Sequence, residues 1–276
     1  MAKIPRLPSP TLCDTFESES KKVWLNLESA LQFGLSRSEE TITENLLYNI
    51  QTAHSREVIT FQFNKYEEGT IGADWEWWLT NGSRWVGLLI QAKKLNPKSN
   101  KYSKIVYKTQ MSDLIQWARK KGISPLYFFY NFTKASPKGI AWNCGSTPFD
   151  QSQLGCTVAH AAAVESVVNA GGRGFSKMSN ISLPMKCLVC CSILGDPDGS
   201  LPGRVNGVTN TLERLTQIVE PDLRVIEPNR LWDEPPGYVR RLLSVPEEER
   251  GTLIEQLKGE VGPIGELVVI KQSVDE

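Results

Sequence analysis

The sequence predicts an α/β fold, and three local patterns carry that prediction. Asn81-Gly82 stands between two β-type runs and marks a tight hairpin. Met111, Leu114, Ile115 and Ala118 then share one face of a helix that Gly122 closes. An apolar run of strand length follows at once, over 125–132. A hairpin whose second strand leads through a helix into another strand requires a mixed sheet, antiparallel first and then parallel after the crossover.

In chain order, residues 11–35 read as a helix, with Phe16, Val23, Leu27 and Leu31 near helical spacing and Gly34 ending the run. A second helix opens over 38–47; Ser38 or Thr41 caps it, and Thr41 with Glu44 fits the capping-box spacing. The β-branched and aromatic run 58–63 is a strand, and 68–70 a loop. Residues 74–80 and 85–93 are the hairpin strands, and 108–121 is the crossover helix. Further on, 157–170 reads as a helix stopped by Gly171-Gly172, 186–194 as an apolar strand, and 195–207 as a Pro/Gly loop. Helices over 209–218, 238–243 and 247–258 and a strand over 265–272 complete the chain. The expected organisation is a helical extension (1–38), an α/β core with an added helix and strand (39–194), and an acidic C-terminal region (195–276). That last region either stands apart or belongs to the same domain, with the loop after 195 as boundary.

The chain has 276 residues, of which 40% are hydrophobic and 22% charged, excluding a disordered or collagen-like polymer. Its apolar runs fall short of the ~20 residues a membrane helix needs, so no membrane association is expected. Residues 1–10 carry Lys3 and Arg6 without a following apolar stretch. No secretory signal is expected, and a cytoplasmic location follows. There the six cysteines are expected as thiols.

Lys+Arg and Asp+Glu balance at 31 each, but not locally. Residues 84–121 hold 10 basic side chains and only Asp113 against them, while 1–83 hold 7 basic and 12 acidic and 210–276 hold 8 and 14. A concentrated basic block follows a phosphate backbone even in a neutral protein. Within it, Lys94, Lys98, Lys101, Lys104 and Lys108 are the candidate nucleic-acid contacts.

Immediately before the block lies the chemistry. Gln91 and Lys93 are two apart on one strand and so share a face. The antiparallel hairpin brings Asp74, at the start of its first strand, to the same sheet edge. An acid, an amide oxygen and a lysine converging there suit a divalent cation and a phosphodiester: hard oxygens ligate, and the ammonium offsets phosphate charge. Glu76, two residues from Asp74, is expected on the same face as a rival second carboxylate.

Gly72-Ala73-Asp74 followed by Gln91-Ala92-Lys93, after a helix bearing Glu44, resembles the PD-(D/E)XK restriction-endonuclease-like superfamily. More narrowly, it is similar to the Mrr-like branch, where glutamine replaces the first acid, and to bacterial anti-phage defence proteins of that type. The likeness covers about residues 39–132. It implies a restriction-endonuclease-like core, helix-strand-strand-strand-helix-strand. It also implies Asp74 as principal metal ligand, Gln91 as ligand or water-positioning group, Lys93 as catalytic lysine and Glu44 as completing carboxylate. The cofactor implied is Mg²⁺, with Mn²⁺ a substitute, and the substrate DNA. A constitutively active nuclease would harm its host, so gating by oligomerisation, a ligand or a defence partner protein is expected, with the acidic C-terminal half covering the basic segment. The alternative is a catalytically inactive nucleic-acid-binding or assembly module.

Other patterns carry less. Cys187, Cys190 and Cys191 sit in an apolar run with no second CxxC to complete a zinc set, and read as core. Cys144 or Cys156 with His160 could imitate a nucleophile pair, Cys156 and His160 being one helical turn apart if their helix begins early. His54 reads as a surface residue at a helix end, and Trp75, Trp77, Trp78 and Trp85 as core fillers rather than base-stacking platforms.

Overall fold

The computed structural model describes residues 10–63, 73–107, 109–134, 144, 151–191, 194, 199–219, 230–262 and 264–272. The loop expected over 68–70 and Lys108 lie outside the described residues. Helix α1 (Leu12–Gln32) starts at a reciprocal cap, in which Thr11 accepts from the Asp14 N–H and the Asp14 carboxylate accepts from the Thr11 N–H. Helix α2 (Glu39–Ala53) is capped by Ser38, whose hydroxyl accepts from the Thr41 N–H. Thr41 and Glu44 therefore lie inside the helix rather than framing its start.

Strands β1 (Val58–Gln62), β2 (Trp75–Thr80) and β3 (Trp85–Lys94), helix α3 (Gln110–Lys121) and strand β4 (Ser124–Tyr130) follow in the expected order. Asn81 Oδ1 accepts from the N–H groups of Ser83 and Arg84, and Gly82 takes φ 93°, which only glycine adopts freely. Strand β3 pairs antiparallel with β2 and parallel with β4, so α3 is the crossover.

Three assignments beyond residue 132 are corrected. The helix expected over 157–170 is strand β5 (Cys156–His160) followed by α4 (Ala161–Asn169), with His160 capping the helix through Nδ1. After α5 (Phe175–Ser179) and β6 (Leu183–Pro184), the strand expected over 186–194 is the single-turn helix α6 (Cys187–Cys190). A short apolar run does not distinguish a strand from a buried helix. The loop expected to Gly207 is instead the opening of α7 (Leu201–Val219): Ser200 Oγ accepts from the Gly203 N–H, and Pro202 sits in the first turn, where its missing N–H costs nothing. Helices α8 (Gly237–Ser244) and α9 (Arg250–Val261) and strand β7 (Glu266–Lys271) close the fold.

The seven strands among the described residues form one mixed sheet in the order β1-β7-β2-β3-β4-β5-β6, flanked by helices. Strand β7 lies between β1 and β2, antiparallel to the first and parallel to the second. A strand from the C-terminal region thus stands between β1 and the hairpin.

Alternation along β2 sorts its side chains. Trp75 and Trp77 pack edge-on against Phe128, and Trp77 also against Phe16 of α1. Glu76 and Trp78 face the opposite layer of α3 and α8, where Trp78 meets Trp232. The tryptophans are core, as expected. His54 is not a surface residue: it is buried, with Nε2 2.8 Å from Thr15 Oγ1. Nor are all six cysteines thiols, because Cys13 and Cys190 form a disulfide joining α1 to α6. Among the described residues no helix is long and apolar enough to cross a membrane.

Candidate functional site

Asp74 is fixed by its own backbone before its side chain acts. Its N–H donates to Ile90 O on β3, and its carbonyl accepts from the Gly265 N–H just before β7, each at 2.8 Å. The residue lies one position outside the pleat of β2, so its carboxylate folds over the strand end. Oδ2 accepts from the Ala92 N–H at 2.7 Å and from Gln91 Nε2 at 2.6 Å. Burial pushes the Asp74 carboxyl up to about 6; the Ala92 hydrogen bond and the Lys93 charge pull the other way, and the nearby Glu39 charge adds to the rise.

Gln91 and Lys93 share a face of β3, as expected, and are 2% and 4% exposed. Gln91 spends its amide N–H groups on Asp74 and on Ala92 O, which leaves Oε1 a buried acceptor with no hydrogen-bond partner. The Lys93 ammonium donates to Gln110 Oε1 at 2.8 Å, at the first turn of α3. Burial lowers its pKa, opposed by the charges of Asp74 and Glu39.

Helix α2 reaches this cluster through Glu39 rather than Glu44. Glu39 Oε1 accepts from the Lys94 N–H at 2.9 Å, and its charge acts on Asp74, Lys93 and Lys94. Glu44 is exposed and lines the same cleft farther along the helix. The Ser38 cap is the signal that would have found Glu39, since it puts that residue at the helix's first position, beside the strand end.

Glu76 does not join the site. It shares the face of Gln91 and Lys93, being paired with Leu89, but it is 0% exposed farther from the strand end under α3 and α8, where it accepts from Trp78 Nε1 and the Tyr238 hydroxyl, each at 2.5 Å, and pairs with Lys121. The period-two expectation of a shared face holds, but Glu76 stands two residues farther along the strand from the open edge, where Trp78, Tyr238 and Lys121 take up its carboxylate.

Asp74, Gln91 and Lys93 open into a cleft of about 1370 Å³, larger than the ~300–1,000 Å³ of ordinary small-molecule pockets. Lys94, Lys98 and Lys104 line it, joined by Arg37 and Lys134, which lie outside the basic block 84–121. Lys94 is tied through its ammonium to Arg37 O, and burial lowers its pKa. Lys101 is exposed near the cleft but not on its wall; its backbone bridges Asn96 and Gly174. The basic loop is anchored. Tyr102 is buried, its hydroxyl donates to Asn131 Oδ1 at 2.6 Å, and its N–H donates to Arg173 O. Leu31, Leu35, Tyr107 and Phe132 give the cleft an apolar flank.

From the acidic stretch 210–276, Glu266 alone among the described residues lines the cleft. As the first residue of β7 it pairs in register with Trp75, next to Asp74. No local sequence signal marks it, because its position depends on a strand pairing distant in sequence. The donors gathered here are oxygens: the Asp74 carboxylate, the orphaned Gln91 Oε1, and Glu39, Glu44 and Glu266 along the walls. Oxygen is the donor type that hard divalent cations take, but among the described residues these carboxylates are spread along the cleft and no three of them close on one point.

Cys156 and His160 do not form a nucleophile pair. They lie four residues apart on strand β5, about 13 Å at the usual rise, instead of one helical turn. Burial raises the Cys156 thiol and lowers His160 to about 4, the reverse of what an activated pair needs.

The chain belongs to a family of unknown function (DUF6615), whose model matches residues 12–275. The match takes in every wall of the cleft, from α1 to β7. No curated protein matches the chain.

Proposed function

We propose that this protein is a metal-dependent nuclease that hydrolyses DNA phosphodiester bonds in the cleft, with Asp74, Gln91 and Lys93 at its centre. One observation carries the reading: a desolvated carboxylate, an unpaired amide oxygen and a buried ammonium meet at one sheet edge, at the mouth of an anchored basic loop. The order α2-β1-β2-β3-α3-β4 is the one a restriction-endonuclease-like core requires, and it supports assignment to that superfamily.

Asp74 and Gln91 Oε1 would hold Mg²⁺ or Mn²⁺, with Glu39, Glu44 or Glu266 completing the set. The cation would supply Lewis-acid polarisation of a phosphoryl oxygen and a more acidic bound water. Lys93, held by Gln110, offers a fixed positive charge to a non-bridging phosphate oxygen, where charge grows in the transition state. Its desolvation also eases release of its proton. Lys98 and Lys104, with Lys101 beside them, grip the flanking phosphates and set register without reading sequence.

The setting we propose is cytoplasmic anti-phage defence, with activity gated by a ligand, a partner protein or self-association. A second reading has its own observation. Gln91 is neutral where an acid would add charge, and Asp74 Oδ2 is already engaged twice, which suits a fold member that binds DNA without cutting it.

The test is incubation of purified protein with supercoiled plasmid, single-stranded DNA and RNA in Mg²⁺, Mn²⁺ or EDTA, beside Lys93→Ala. Cleavage of DNA that needs the cation and is lost in the variant is the expected result. Wild-type rates from Lys93→Ala would overturn the assignment, and salt-sensitive retention without cleavage under every condition would favour the binding module.

A further inference from the structure

Away from the cleft, three thiols converge. The Sγ atoms of Cys144, Cys187 and Cys191 all lie within 4.8 Å of one another, and all three residues are buried. Two come from one turn of chain: Cys191 follows α6, and its N–H bonds to Cys187 O. The third comes from a segment upstream of β5. Cys187 shares side-chain hydrogen bonds with both of the others. A lone buried cysteine packs as a small apolar group. That accounts for Cys156, which stands apart, but not for three sulfurs from two distant segments turned toward a common point.

We propose that Cys144, Cys187 and Cys191 form a three-thiolate site for Zn²⁺, separate from the hard-cation cleft. At a zinc–sulfur distance of ~2.3 Å, tetrahedral ligand sulfurs stand about 3.8 Å apart, within the spacing found here. An all-sulfur set selects a thiophilic ion and rejects Mg²⁺. Charge decides which ion. Three thiolates around Zn²⁺ leave one net negative charge and around Cu⁺ two, and a buried site disfavours the larger residue. Arg204, whose guanidinium donates to Val189 O of α6 at 2.9 Å, sets a compensating cation beside that helix. Each ligating thiol gives its proton to solvent, so three protons leave for each ion bound. Three protein ligands leave a fourth position for water or another donor. The ion would tie α6, and through it the start of α7, to Cys144.

The test uses the full chain, reduced and then dialysed against Zn²⁺ with excess Mg²⁺, with metal counted by mass spectrometry and Co²⁺ substituted for its absorption spectrum. One zinc per chain is expected, with thiolate-to-cobalt charge-transfer bands in the Co²⁺ form and about 100-fold weaker binding in Cys187→Ser. Cys156→Ser and the double variant Cys13→Ser/Cys190→Ser should keep the ion. Because Cys187→Ser removes a core side chain, the wild-type protein supplies a second measurement: alkylation with and without Zn²⁺, mapped by peptide mass. Protection confined to Cys144, Cys187 and Cys191 supports the site. No bound zinc, unchanged binding in Cys187→Ser, or protection elsewhere overturns it.

Discussion

Replacing Asp74 by Asn should stabilise the protein while destroying its activity. Burial raises the Asp74 carboxyl from its ordinary 3.8 to about 6. Between those values the folded state holds a proton that the unfolded chain has lost, so stability falls as pH rises through the window and the full penalty stands above pH 6. At ~1.36 kcal/mol per pKa unit the penalty approaches about 3 kcal/mol, and partial solvent contact at Asp74 reduces it to about 2. Asn removes the charge and keeps the geometry. Its Oδ1, placed where Asp74 Oδ2 stands, accepts from both the Ala92 N–H and Gln91 Nε2. The variant should therefore gain about 2 kcal/mol at pH 8, or about 4–8 °C in Tm, and almost nothing at pH 4. Urea unfolding followed by tryptophan fluorescence at both pH values measures it. The comparison must be between proteins, because buried His160, lowered from 6.5 to about 4, works in the opposite sense: the unfolded chain takes its proton first, so stability falls as pH drops through that window. Mg²⁺ should raise the wild-type midpoint and leave the variant unmoved. Equal stabilisation at pH 4 and pH 8, or a loss at pH 8, would refute the reasoning.

Three further outcomes follow from the geometry. Tyr238→Phe strips one donor from buried Glu76 and should cost about 1–3 kcal/mol in urea unfolding with cleavage unchanged; lost cleavage would return Glu76 to the site. Gly155→Ala should cost more than 3 kcal/mol by the same assay, because a Cβ there would lie 2.0 Å from the Ser20 carbonyl oxygen and 2.9 Å from Trp24 N, backbone that α1 cannot move without leaving the sheet. Changing Lys98, Lys101 and Lys104 together to Gln should lower the slope of log affinity for duplex DNA against log salt by about 2–3 without altering the fold; an unchanged slope would place DNA elsewhere.

Local chemistry made much of this molecule legible. Asn81-Gly82 names its turn, and the helix face ending at Gly122 names the crossover, so the meeting of Asp74, Gln91 and Lys93 followed from a hairpin that two residues define. What escaped was long-range or ambiguous. The run 265–272 reads as a strand, but nothing in it says that it enters between β1 and β2, and so Glu266 went unnoticed. Residues 200–207 carry the Pro and Gly of a loop, yet Ser200 caps them and burial makes them helix. Cys187 to Cys191 is apolar enough for either structure, and the third sulfur arrives from Cys144, which no local window sees.

The position of β7 has a consequence for how the protein comes into being. The Phe63 N–H donates to Gly265 O, and the Gly265 N–H to Asp74 O, so the turn into β7 stitches the end of β1 to the very residue at the centre of the cleft. Every other described strand leaves the ribosome before this one. Until it emerges, β1 has no partner in the sheet, β2 shows a bare edge, and the backbone of Asp74 lacks one of its two restraints. Folding is thereby weighted toward late, non-local closure, which is slow and leaves strand edges open to mispairing. The same delay is a form of safety: a chain still in synthesis, or one cut short before residue 266, holds the chemistry of the cleft without the strand that sets it in place.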